Sequence, residues 1–242
     1  LEPVENNLLP GTIEGYSLPE GDGTARNRKG LRRATKLLSE AGWQVVDGRL
    51  VDDTGTPLTL TVLLQQDGLI AQASAMMDIY ARALSRLGIT LNVETVDNAQ
   101  YTERVAQYDF DLTMMRRSLS LSPGNEQMFY WGSEGMNEPG SRNLMGMESP
   151  AAEAMIRTML KATDRDAFIA ATRALDRVLT AGRYVIPIHR YAVGRIAHKA
   201  ELTYPRDTLP IYGDGIGFLP TVWWLEAEKQ TSQTQDNHTR AD

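Results

Sequence analysis

The sequence contains no cysteine and only three histidines among its 242 residues. The absence of cysteine excludes disulfide bonds, thiolate nucleophiles and cysteine-ligated zinc. The histidines, His189, His198 and His238, show no metal-ligand spacing, and a zinc site needs three or four converging ligands. We therefore expect a structural or solvated role for each histidine, and neither a metal ion nor another cofactor.

Two further absences bear on whether the protein spans a membrane or binds nucleic acid. No stretch approaches the roughly 20 consecutive apolar residues that a membrane-spanning helix needs. No basic run is present, and 25 Lys and Arg stand against 31 Asp and Glu, for a net charge of −6. Because proteins bind nucleic acid through clustered positive charge, we do not expect nucleic acid as a partner.

The sequence also lacks the residue groupings of an enzyme. Serines are plentiful, but no G-x-S-x-G elbow occurs and no histidine is placed as a base. Asp109 and Asp111 share one face of a predicted strand start, where solvated turn carboxylates are commoner than an acid–base pair. The glycine-rich segment 213–217 follows no strand-to-helix turn, which a phosphate-binding loop requires. We expect a protein without catalytic activity.

What the sequence does contain is an alternation of strand and helix patterns. Hydrophobic periodicity predicts helices over residues 27–41, 69–87, 99–107, 150–162 and 164–181. Strands are predicted over residues 58–64, 89–96, 110–115 and 184–189. Asp47-Gly48 predicts a hairpin between 43–46 and 49–51. This order is typical of an α/β fold with a mixed, mostly parallel sheet and helices on both faces.

The segment 118–147 shows no period and is long for a loop, which is typical of functional segments. It leaves the carboxyl end of the third predicted strand of the sheet, the edge at which open α/β sheets bind ligands. The polar side chains there offer hydrogen bonds suited to a peptide backbone. These candidate ligand-binding residues are Arg116, Arg117, Ser118, Ser120, Ser122 and Asn125.

Aromatic and polar residues further along the same segment extend the candidate site. For Tyr130 and Trp131 two interpretations stay open, a stacking wall for the ligand or packing of the domain's own core. Phe129 is predicted to plug that core. Arg142 either binds a ligand carboxylate or forms a surface ion pair, and Asn143 beside it completes the candidate set.

Several strings, in this order and spacing, resemble the family 5 extracellular solute-binding proteins. They are Ser122-Pro123-Gly124-Asn125-Glu126-Gln127, Tyr130-Trp131-Gly132-Ser133, Gly140-Ser141-Arg142-Asn143 and Val185-Ile186-Pro187-Ile188-His189. Within that family the sequence is most similar to the branch that binds oligopeptides and microcin-C-type peptides. The resemblance covers about residues 1–229.

The resemblance implies a periplasmic receptor of two lobes that traps a peptide or another small solute and delivers it to an ABC permease in the membrane. The chain matches the later part of the family pattern, so we expect the signal peptide and most of the amino-terminal lobe to be missing. The present lobe should have the type II periplasmic-binding-protein-like fold. The expected divisions are a strap at 1–24, the carboxyl-terminal ligand-binding lobe at 25–204, a segment returning to the missing lobe at 205–229, and a disordered tail at 230–242.

One departure from the family pattern bears on the ligand. Peptide binders of the family carry an aspartate that pairs with the free ammonium of the peptide. The matching stretch here, 118–125, contains no carboxylate, and a buried ammonium without a counter-charge is costly. We therefore expect a ligand whose amino terminus is blocked or internal at this point.

Two alternatives stay open. The same fold serves as a sensor or structural lobe without a transport role, which a neighbouring DNA-binding or signalling domain would favour. A hydrolase would need a base beside a nucleophile, and turnover of peptides or esters would support it.

Overall fold

The computed structural model describes residues 27–117, 122–136, 138–188, 196–205 and 222–226. Within these ranges the chain forms six α-helices and seven β-strands. In chain order they are α1 (Arg28–Glu40), β1 (Gln44–Val46), β2 (Arg49–Val51), β3 (Thr59–Gln65), α2 (Ile70–Ser85), β4 (Thr90–Val96), α3 (Asn98–Ala106), β5 (Leu112–Thr113), α4 (Glu126–Trp131), α5 (Pro150–Lys161), α6 (Arg165–Gly182), β6 (Leu202–Thr203) and β7 (Trp224–Leu225). A short 3-10 turn, Ser133–Gly135, follows α4.

A three-stranded parallel sheet of order β4-β3-β5 lies at the centre of the α/β part. The chain crosses the sheet in opposite directions from β3 to β4 and from β4 to β5. Because such crossovers are right-handed, α2 and α3 lie on opposite faces. Val62 and Leu64 pack against α2, whereas Tyr101 of α3 reaches Thr113, which pairs with Leu63. The predicted α/β sheet with helices on both faces is confirmed.

The predicted hairpin is present between β1 and β2, which pair antiparallel. Asp47 and Gly48 both have positive φ, at 49° and 77°, as the type I′ turn of a two-residue hairpin requires. Leu50 of the hairpin is buried with Leu84 and Ile89, so the hairpin packs on the end of the α2–β4 unit. Two antiparallel strands, β6 and β7, form a separate small sheet.

A second core lies among α4, α5 and α6, where the residues Trp131, Met147, Ala152, Ile156, Leu175 and Leu179 are buried together. α5 and α6 begin close to the predicted positions, and each start is capped by a side chain. Ser149 accepts from the N–H of Ala152, and Asp164 accepts from the N–H of Ala167. The Tyr108 hydroxyl joins this helical part to the sheet part, lying 3.0 Å from the carbonyl oxygens of both Gly135 and Asn143. The Tyr108 side chain, just after the end of α3, therefore connects the two cores.

Some predicted elements differ from the structure. Residues 184–188 form no strand, and His189 lies outside the described residues. Their apolar, β-branched run suits extended backbone, but a strand also needs a pairing partner, and none occurs there within the described ranges. β5 is shorter than predicted at both ends; just before its start the Asp111 carboxylate, in place of a backbone carbonyl, accepts from the Thr61 N–H at 2.7 Å. The segments 1–24 and 230–242, and most of 205–229, also lie outside the described residues.

Candidate functional site

The three parallel strands end at one edge, at Gln65, Val96 and Thr113, which we call the carboxyl edge. Polar groups follow each strand there. The Gln65 amide donates to the Asn98 side chain at 2.6 Å, and Asp97 caps α3 through the N–H groups of the first turn. The edge that open α/β sheets use for ligands is thus lined by side chains already held in place by hydrogen bonds.

Arg116 leaves this edge directly after β5, and its charge is paired. Its Nη1 lies 3.3 Å from Oδ2 of Asp67, whose other oxygen accepts from the Leu69 N–H just before α2. Asp67 is not among the predicted site residues, although its place between β3 and α2 indicates a residue at the same edge. Both partners are partly exposed, so the pair contributes less than about 1 kcal/mol and mainly orients Arg116.

Arg117 has a different environment. Its Cζ lies over the Tyr130 ring, 3.9 Å from the ring centroid, and 5.1 Å from that of Trp131. Its Nη2 donates to the carbonyl oxygen of Arg142 at 3.3 Å. Burial lowers the pKa of Arg117; Tyr130 opposes this effect and the positive charge of Arg142 adds to it. The guanidinium stays protonated at neutral pH, because arginine does not deprotonate in proteins.

Arg142 approaches the same aromatic ring from another segment, with Cζ 6.0 Å from the Tyr130 centroid. None of the ion pairs among the described residues involves Arg117 or Arg142. The surface ion pair that was one interpretation of Arg142 is therefore absent from the described part of the chain. Arg117, Tyr130 and Arg142, named here the arginine–tyrosine cluster, bring two positive charges to one ring.

Trp131 and Asn143 lie in the interior, 1% and 0% exposed. The Trp131 indole N–H donates to the Gln127 side chain at 3.0 Å. The Asn143 amide is hydrogen-bonded to backbone groups of Gly132 and Met147. This burial agrees with the packing interpretation of Trp131, and both residues act as anchors for the neighbours that reach the surface, Tyr130 and Arg142. Their direct contact with a solute stays an untested prediction.

The prediction that Phe129 plugs the core is wrong, since 61% of its surface is exposed. Gln127 and Trp131, four residues apart, share the buried side of α4. Phe129, halfway between them, must point the other way. Hydrophobic size alone could not decide which aromatic residue of this short helix is buried.

The remaining predicted site residues are three serines and an asparagine. Ser118 and Ser120 lie outside the described residues, whereas Ser122 is partly buried just before α4. Asn125 is exposed at the start of α4 and makes no side-chain capping bond there. The structure thus brings Arg117, Tyr130 and Arg142 together, and it pairs Arg116, the chain neighbour of Arg117, with Asp67 at the carboxyl edge.

The described residues contain no group of three or more acidic or histidine side chains arranged to hold a metal ion. None of their helices combines the length and apolar character needed to cross a membrane.

Comparison with known proteins places the chain in a family. The model described as "Bacterial extracellular solute-binding proteins, family 5 Middle" matches residues 2–138, more than half of the chain. The uncharacterised protein y4wM of Sinorhizobium fredii is 41% identical over 88% of this chain and 31% of its own length. The probable peptide-binding protein YejA of Agrobacterium fabrum is 39% identical over 86% of this chain and 33% of its own length. The chain spans about a third of the length of these curated relatives.

The fold has a counterpart among solved structures. The oligopeptide-binding protein AppA of Bacillus subtilis, solved with a nonapeptide, superposes with a TM-score of 0.54. The match covers 63% of this chain and 30% of AppA at 20% identity, which establishes a shared fold alone. The chain therefore belongs to the family 5 bacterial extracellular solute-binding proteins, a family of binding proteins and not of enzymes.

Proposed function

We propose that the chain is the carboxyl-terminal, ligand-contacting part of a periplasmic receptor that binds peptides and delivers them to an ABC permease. Family membership, the peptide-binding name of the Agrobacterium relative and the fold shared with AppA support this proposal. The observation that carries it is the convergence of Arg117, Tyr130 and Arg142 in the segment that follows β5, next to the Arg116–Asp67 pair at the carboxyl edge.

The arrangement suits an extended peptide in two ways. The arginine side chains carry several N–H donors each, which the carbonyl oxygens of a peptide accept. The half-buried Tyr130 adds an aromatic surface next to those donors. Burial of the solute would come from closure of the amino-terminal lobe over this edge, so we expect high affinity of the full-length protein and not of this part alone.

The charge of the site supports the proposal that no free ammonium is anchored here. The stretch 118–125 contains no carboxylate, and the adjoining Glu126 carboxylate already accepts from the N–H of Gly124 and the side chain of Gln127. The charged groups beside the Tyr130 ring are the guanidinium groups of Arg117 and Arg142. A peptide ammonium beside them would be repelled. A peptide with a blocked or distant amino terminus fits this end of the site.

Calorimetric titration of the full-length protein with defined peptides of four to eight residues, each in free and amino-acetylated form, tests the proposal. We expect a dissociation constant of micromolar or tighter, about −8 kcal/mol or better, for some peptides. Acetylated forms should bind at least as tightly as free ones. An equal mass of mixed free amino acids serves as the control. The absence of heat with every peptide would overturn peptide binding and direct the search to sugars and metal chelates.

Transport requires a separate experiment. Deletion of the gene should abolish uptake of a labelled binding peptide, and a plasmid copy should restore it. Unchanged uptake in the deletion strain would contradict the receptor role while leaving binding intact.

A further inference from the structure

We infer that the arginine–tyrosine cluster of Arg117, Tyr130 and Arg142 is a subsite for a carboxylate of the bound solute. The inference rests on the proposed function, because it names the chemistry that the same receptor would select. It starts from a charge that the described part of the protein leaves without a counter-charge.

Two like charges lie close together in the cluster. Both guanidinium groups lie near the Tyr130 ring, at 3.9 Å and 6.0 Å from its centroid, and the charge of Arg142 acts unfavourably on Arg117. The carboxylate of Asp67 is already paired with Arg116. Within the described ranges no other carboxylate is paired with either cluster arginine. An incoming anion would therefore relieve repulsion as well as gain attraction.

The hydrogen-bonding capacity of the cluster is also largely unused. A guanidinium carries five N–H donors, and the described hydrogen bond of Arg117 is the single one to the Arg142 carbonyl oxygen, at a long 3.3 Å. The Arg117 Cζ lies 3.9 Å from the Tyr130 centroid, and a guanidinium stacked flat on a ring keeps its edges for an in-plane acceptor. A carboxylate matches such an edge with two parallel hydrogen bonds.

Packing alone does not account for both arginines. Cation–π contact explains why Arg117 covers Tyr130 and Trp131. It does not explain Arg142, whose side chain is exposed and whose guanidinium lies at the limit of such a contact. The backbone at Arg142 is nevertheless held in place, because the adjoining Asn143 is fully buried and hydrogen-bonded. An exposed charge on an anchored backbone, with no ion-pair partner among the described residues, suits ligand contact.

A peptide offers a carboxylate from two sources, its carboxyl terminus or an acidic side chain. The test therefore uses the full-length protein and four forms of one binding peptide: the acidic peptide, its carboxyl-terminal amide, its Glu→Gln analogue, and the doubly neutral form. We expect the doubly neutral form to bind at least about tenfold more weakly than the acidic peptide. The singly modified form that loses this affinity identifies which carboxylate is bound.

Variants connect the preference to the cluster. Arg142→Gln should weaken binding of the acidic peptide much more than binding of the neutral form, and so remove most of the preference for the acidic peptide. Arg117→Lys, which keeps the charge and the packing stem but loses the planar fork, should reduce the preference in part. Arg82→Gln is the charge-matched control, because Arg82 lies in the last turn of α2, away from the carboxyl edge.

Three outcomes would overturn the inference, and they are distinguishable. Equal binding of acidic and neutral peptides overturns the carboxylate subsite and leaves peptide binding standing. A preference that persists in Arg142→Gln and equals that of Arg82→Gln overturns the location. Failure of every peptide to bind overturns the proposed function and the subsite together.

Discussion

The side-chain amide of Asn143 bonds to both backbone polar groups of Met147, donating to its carbonyl oxygen at 2.8 Å and accepting from its N–H at 2.9 Å. A third bond reaches the carbonyl oxygen of Gly132 at 3.0 Å. The asparagine thereby closes the turn that follows Arg142 and fastens it to the end of α4. Asn143 is a structural support of the candidate site.

Asn143→Ala should destabilise the protein by about 3 kcal/mol, because three buried backbone groups lose their partner. Urea unfolding followed by circular dichroism measures the change. Asn125→Ala is the matched control, since Asn125 is exposed and makes no capping bond, and it should change stability by less than about 0.5 kcal/mol. Equal effects of the two substitutions would refute the supporting role of Asn143.

Truncation of two aromatic residues of α4 should lower the stability by very different amounts. Trp131→Ala removes a buried indole from the helical core and should cost about 4 kcal/mol of unfolding free energy. Phe129→Ala removes an exposed ring and should cost less than about 0.5 kcal/mol. Thermal or urea unfolding of both variants gives the comparison, and a larger loss for Phe129→Ala would show that α4 is oriented the other way.

Glu153 should make stability depend on pH in the acid range. Hydrogen bonds from the Ser133 hydroxyl and N–H, with a further contribution from Arg157, lower the pKa of Glu153 below its ordinary value of 4.5. The unfolded chain therefore binds this proton more readily. The stabilisation is fully present above about pH 4.5 and is lost as the pH falls through the lower folded-state pKa.

Unfolding free energies of the natural chain and Glu153→Gln, measured by urea between pH 7 and pH 3, check this dependence. The difference between the two proteins should be largest at neutral pH and shrink on acidification. Ser133→Ala, which removes the donor hydroxyl, should weaken the same trend. Parallel curves of unfolding free energy against pH for the natural chain and Glu153→Gln would contradict the predicted contribution of Glu153 to the pH dependence.

Alanine substitutions at Gly88 and Gly55 should distinguish the cost of a steric clash from the cost of backbone strain. Both have left-handed φ, 80° and 84°, but an added Cβ at Gly88 would lie 2.6 Å from the Leu50 N, whereas at Gly55 it meets open space. Gly55→Ala should cost about 1 kcal/mol from strain alone, and Gly88→Ala about 3 kcal/mol or more. The difference between the two losses of unfolding free energy gives the cost of the steric clash with β2. Equal losses would show that β2 moves aside at little cost.

The sheet and its helices were predictable because their patterns are local. β3 and β4 each carry seven residues of strand pattern, and α2 has four turns of helical period. α4 was missed, since six residues are too few to show a period. The run at 184–188 was misassigned because β-branched composition indicates a suitable backbone and not a partner strand.

The candidate site was predictable in composition more than in contacts. The rule that ligands bind beyond the carboxyl ends of strands led to Arg116 and Arg117. The approach of Arg117 to Arg142 joins positions 25 residues apart, and no local pattern encodes it. The division of labour between Tyr130 and Trp131 depends on how α4 rotates against α5 and α6, which is a property of the packed core.

Tyr108 adopts φ 58°, a backbone conformation that a glycine would occupy without strain. Its phenol oxygen meanwhile bridges two carbonyl groups, one at Gly135 and one at Asn143, the residue that adjoins Arg142. A glycine at position 108 would remove the backbone strain and also remove both of these hydrogen bonds. Tyr108 thus combines a left-handed main-chain conformation with a hydroxyl that attaches the end of α3 to the backbone next to Arg142.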